Sequence, residues 1–121
     1  MSDFVKNADE NIMNFKDRLR FTANFDMLDR EVRIGGKKAG FFFIDGFVQE
    51  DMVEKLMQFF YSLKPEDVSN IDKFLENGMP YTEVDRADKY ERVITSFLAG
   101  VTVLFVDGFD EAVLIDCRTY P

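Results

Sequence analysis

The sequence predicts an α+β fold: a small four-stranded mixed sheet packed with about four helices, two hairpins joined by a helical crossover. Three observations carry that prediction. The apolar run Phe41–Ile44, closed by Asp45-Gly46-Phe47, returns sixty-two residues later as Val103–Val106, closed by Asp107-Gly108-Phe109. An apolar run of this length that stops at a turn dipeptide reads as a strand buried on both faces. Each run also has a sequence neighbour able to pair back on it. Between the two hairpins lie three stretches whose apolar residues recur at helical spacing.

Residues 3–20 read as a helix, because Phe4, Ala8, Ile12, Phe15 and Leu19 form one stripe. Ser2 is a fair N-cap for it, with Asp3 in the first turn. Residues 21–29 are polar enough to be a connector, with Phe21, Phe25 and Leu28 docking on the core. Glu31–Ile34 alternates charged and apolar residues, as an edge strand does. The Gly35–Gly40 segment turns the chain into the strand Phe41–Ile44, with a solvated Lys37-Lys38 pair at the tip.

Residues 49–63 form the clearest helix, with Met52, Val53, Leu56, Met57, Phe59, Phe60 and Leu63 on a broad apolar face. That face reads as core in preference to a ligand groove. Pro65 stops the helix and opens the next, residues 66–76, which ends at Asn77-Gly78. Met79-Pro80-Tyr81 is a linker, and residues 85–99 are again helical up to Gly100. Val101–Val106 is the third strand, and Glu111–Cys117 pairs back on it as the fourth. Three intervening helices allow the two apolar strands to lie parallel through a long crossover, with cover on both faces.

At 121 residues the chain reads as one domain, residues 1–121, long enough for a core without disulfides or metal. Fourteen Phe residues supply much of the buried area. The net charge is −8, from 23 acids against 15 bases, so direct binding to nucleic acid or anionic lipid is disfavoured. The chain opens without a basic region followed by an apolar one. Its longest apolar stretch, Phe97–Val106, is about half the ~20 residues that a spanning helix needs. Thr119-Tyr120-Pro121 reads as a cut between domains.

The chemistry is narrow. With no His, neither a Ser–His–Asp triad nor a His-liganded metal site can form. Cys117 is the single cysteine and reads as a structural thiol. Asp45 and Asp107 sit where haloacid-dehalogenase-type phosphotransferases place an Asp-x-Asp-Gly motif. Here Phe43 and Phe105 occupy the nucleophile position. The simpler reading is a structural turn: Asp45 and Asp107 cap backbone N–H groups, while Gly46 and Gly108 take positive φ. Asp107, Asp110 and Glu111 could hold a cation through oxygen but lack EF-hand spacing. Gly35, Gly36 and Gly40 have no following Gly-Lys-Ser/Thr and make no phosphate loop. No catalytic, cofactor or metal residue is expected. The alternative is a small enzyme handling phosphate or metal through Asp45 and Asp107.

Leu98–Ala112 is similar to a segment in the A subunits of spore germinant receptors, the GerA family: a helix ending at Gly100, an apolar strand, Asp107-Gly108 and a second strand. The upstream Asp29-Arg30, a short strand, Phe43-Ile44-Asp45-Gly46-Phe47 and an amphipathic helix also resemble that family. The resemblance covers most of residues 22–117. It implies the first subdomain of the soluble N-terminal region, on the cytoplasmic (spore core) side of an inner-membrane complex. That complex senses small nutrients and triggers ion release. The implied partners are B and C subunits, and other A subunits, with membrane contact only through a C-terminal part absent here. No catalytic residue carries over, and the implied role is assembly or signal relay.

Overall fold

The structure, a computed structural model, describes residues 1–19, 27–46, 48, 50–77 and 83–118. The elements run α1 (Ala8–Leu19), β1 (Met27–Ile34), β2 (Lys37–Ile44), α2 (Glu50–Ser62), a 3₁₀ turn (Pro65–Val68), α3 (Ile71–Asn77), β3 (Glu83–Ala87), α4 (Tyr90–Leu98), β4 (Thr102–Val106) and β5 (Ala112–Asp116). The sheet order is β1-β2-β4-β5-β3, and every neighbouring pair is antiparallel.

This corrects two expectations. The sheet has five strands where the sequence predicts four, and it is antiparallel where the prediction is mixed. Both errors have one cause. Residues 85–99 read as a single helix but divide into β3 and α4. Splitting one traverse of the sheet into two reverses the direction in which β4 arrives. β4 therefore meets β2 antiparallel, with Ala39 opposite Val106 and Phe42 opposite Val103. β3 buries little besides Ala87 and carries Glu83, Asp85 and Arg86. Pairing with β5 specifies it more strongly than its own residues do.

Burial on both faces needs helices on both faces, which an antiparallel sheet can also have. On one face, Phe41, Phe43, Leu104 and Ile115 pack under Leu56 and Phe60 of α2, Val68, and Phe74 of α3. On the other, Phe42, Val103, Phe105 and Leu114 pack under Phe15 of α1 and Val93 and Phe97 of α4. Phe15 is the hub of that layer, with ring centroids 5.2–5.3 Å from those of Phe42, Phe97 and Phe105. A Phe so buried contributes roughly 1.5–3 kcal/mol of transfer free energy, and tilted ring pairs add to it.

The helix ends follow capping chemistry. α1 begins at Ala8, later than the sequence suggests, because Asn7 is its cap: the Asn7 side chain accepts the Glu10 N–H at 3.0 Å. The 66–76 prediction resolves into the 3₁₀ turn and α3. Asp67 accepts the Lys64 N–H at 2.9 Å, and Asn70 accepts the Lys73 N–H at 2.9 Å. β1 starts at Met27, so Leu28 belongs to a strand and not to a connector. Phe21, Phe25, Phe47, Gly78 and the Met79–Tyr81 linker lie outside the described residues.

Candidate functional site

The antiparallel pairing decides how the two Asp-Gly turns relate. Asp107 follows β4 and lies beside the start of β2: its N–H donates to the Lys38 carbonyl at 2.8 Å. Asp45 follows the other end of β2. Asp45 lies seven residue steps along the strand from Lys38, about 23 Å at 3.3 Å per residue. The two carboxylates occupy opposite ends of the sheet and do not form one site. That geometry removes the basis for an enzyme that uses both.

At the Asp107 end the turn is built into the fold. The Asp107 carboxylate accepts the Ala8 N–H at 2.9 Å, which satisfies a free donor in the first turn of α1. The Gly108 N–H donates to the Lys6 carbonyl at 2.7 Å, and Gly108 has φ +96°. Residues 1–7 run past this end as a strap. Phe4 lies buried against Tyr90 and Phe105, at ring centroid distances of 4.3 and 5.7 Å. Asp3 accepts the Tyr90 N–H at 3.0 Å, so it serves α4 and not α1. Ser2 likewise caps no part of α1; its hydroxyl donates to the Asp110 carbonyl at 2.5 Å.

At the Asp45 end the turn is open. Gly46 has φ +92°, close to that of Gly108, and Asp45 is exposed as Asp107 is, but among the described residues it forms a parallel bridge to Val48 and its carboxylate accepts no hydrogen bond. Here β1, β2 and the start of α2 enclose a cavity of about 340 Å³. Leu28, Phe43, Val53 and Met57 form its apolar floor, and Asp45, Glu50 and Glu54 its rim. Nothing in the sequence brings Leu28 and Asp45 to α2. Only the spacing of Glu50 and Glu54, one helical turn apart, hints at a shared face.

The other candidate groups are committed to structure. Cys117 is buried, with its sulfur 3.2 Å from the Thr102 hydroxyl, and burial raises its pKa. A raised pKa keeps it a thiol at neutral pH and makes it a poor nucleophile. Glu111 pairs with Arg86, which also reaches Asp72 on α3. Among the described residues, no three His, Cys, Asp or Glu side chains converge as a metal site. The face of α2 that reads as core is core at Leu56 and Phe60, which are fully buried; Met52, Met57 and Phe59 are half-buried against the same cluster, and Met57 also lines the groove. No helix among the described residues is long and apolar enough to cross a membrane.

Comparison with known proteins shows what the chain is similar to. The family model described as Bacillus/Clostridium GerA spore germination protein matches residues 14–121. A curated relative, Stage V sporulation protein AF of Bacillus subtilis (strain 168), is 23% identical over 118 residues, covering 96% of this chain and 24% of the relative. A solved structure, the N-terminal domain of the A subunit of the Bacillus megaterium spore germinant receptor GerK3, superposes with a TM-score of 0.77. It is 19% identical, and the match covers 99% of this chain and 49% of the solved one. The chain thus spans about a quarter of the one relative and half of the other. The fold is that of about half of the GerK3 domain, and the family match takes in all five strands; this chain belongs to the GerA family of spore germination proteins.

Proposed function

We propose that this chain is a non-enzymatic, soluble subdomain in the N-terminal region of a germinant-receptor A-type subunit. It acts in receptor assembly or in relay of the nutrient signal that triggers germination. The observation that carries this reading is the family match over residues 14–121. The likeness to half of the GerK3 A-subunit domain supports it. So does the separation of Asp45 from Asp107, which keeps these two carboxylates from acting together on one substrate. Residues 1–121 form one domain of a longer polypeptide whose remainder supplies the membrane anchor. The partners are B- and C-type subunits and other A subunits, in the spore inner membrane, with this domain facing the spore core. Asp45, Gly46, Asp107 and Gly108 serve backbone geometry.

The test is a full-length subunit, with and without this domain, expressed in spores and recovered from their membranes. Removal of the domain is expected to abolish co-purification of the B- and C-type subunits, or to leave assembly intact and abolish the germination response. Intact assembly together with an intact response would overturn the reading. So would turnover of a phosphate ester by the isolated chain that Asp107→Asn removes.

A further inference from the structure

We propose that the groove at the Asp45 end is the docking site for a basic segment of a partner protein, one that presents an apolar side chain between Lys or Arg residues. This rests on the reading of the domain as an interaction module and names the surface that does the work. The groove combines two features. Its floor is apolar, lined by the buried Phe43 and the half-buried Leu28 and Met57. Its rim carries three exposed carboxylates, Asp45, Glu50 and Glu54, whose side chains have no cation or hydrogen-bond partner among the described residues.

Several carboxylates elsewhere on the surface are paired. Asp9 and Glu31 share Lys38 at 2.9 and 3.4 Å, Asp85 meets Arg92 at 2.5 Å, and Asp116 meets Arg118 at 2.8 Å. The cation lining the groove, Arg30, is already engaged. Its guanidinium donates to the Asp29 carbonyl at 2.9 Å and lies 5.8 Å from the Phe43 ring centre. The lining therefore carries three carboxylates against one guanidinium, an excess of negative charge over an apolar floor on a chain whose net charge is −8. A partner bringing Lys or Arg to the rim would gain both steering and desolvated contact. The cavity of about 340 Å³ suits an anchoring side chain with its neighbours, not a whole folded surface. An amphipathic helix laid into a groove presents residues in this way.

The experiment titrates the 121-residue chain with two synthetic amphipathic peptides of about 14 residues that share one Leu pattern, one with Lys and one with Glu on the polar face. Amide resonances report the site. The Lys peptide should shift Leu28, Val53 and Met57, with an affinity near ~100 μM that weakens with salt. The Glu peptide should shift nothing. Glu50→Lys with Glu54→Lys should weaken the Lys peptide at least tenfold, while the control pair Glu10→Lys with Glu91→Lys, of equal net charge, should not. Shifts that map elsewhere, equal losses in both pairs, or no binding would overturn the proposal. In the full-length receptor the groove variants should lose a partner subunit. If the partner is retained there but lost on deletion of the whole domain, the groove is excluded and the module reading stands.

Discussion

The two Asp-Gly turns share a sequence, and their glycines have nearly the same φ, yet they do different work. Asp107-Gly108 is exposed but tied into the fold: its carboxylate caps α1, and its backbone N–H groups reach Lys38 and Lys6. Asp45-Gly46 closes an equally apolar strand, and then its carboxylate faces a groove. The difference arises from neighbours. At one end of the sheet the N-terminal strap, the β1–β2 turn and the corner before α4 crowd together. At the other, α2 departs and leaves space. A recurring motif thus reports strand burial and a change of direction, and its chemistry is set by what folds over it.

The largest test concerns the strands themselves. Phe105→Ala removes a ring in contact with Phe4, Phe15 and Phe42, and about 3–5 kcal/mol of stability should be lost in urea denaturation. Phe43→Ala should cost less, about 3 kcal/mol, because Phe43 borders the groove. A loss under ~1 kcal/mol at either position would mean that the ring is not core.

Next come the glycines. Valine at a positive φ costs of order 1–3 kcal/mol. Gly46→Val should show that strain alone, since a Cβ there meets nothing within 4 Å. Gly108→Val should cost more, because distortion also threatens the Lys6 hydrogen bond and crowds Lys37. Equal melting temperatures for the two variants would erase the distinction between the turns.

The smallest effect is at acid pH. Asp85 on β3 is held below the usual carboxylate range, first by the Arg86 N–H and then by Arg92. Its folded pKa lies below the unfolded value, so its contribution is complete above about pH 4 and fades as pH falls through the folded pKa. Asp85 is exposed, and a few tenths of a kcal/mol are expected. Asp85→Asn should flatten the acid limb of a pH–stability curve by that amount; an unchanged curve would show that the pair contributes nothing.

Much of the fold was legible, and the reasons are specific. Phe41–Ile44 and Val103–Val106 declare double-sided burial directly. α2 is legible because its apolar face repeats over three turns, and Gly100 marks the end of α4. β3 was not, since Glu-Val-Asp-Arg-Ala has too little apolar character to separate it from the helix that follows, and that one omission reversed the predicted direction of β4. Asp3 is the right residue type for a cap, but the helix it caps is eighty-seven residues away in sequence. The groove was invisible for a similar reason: Leu28, Phe43 and Glu54 meet only after three elements assemble.

The most direct measurement compares Asp107→Ala with Asp45→Ala by urea denaturation at neutral pH, alongside calorimetric titration with Mg²⁺. If the acidic ends of the two strands serve geometry at separate places, Asp107→Ala loses about 1–2 kcal/mol with the cap, Asp45→Ala stays within about 0.5 kcal/mol, and neither changes a metal isotherm. Equal losses, or micromolar Mg²⁺ binding that either substitution abolishes, would contradict it.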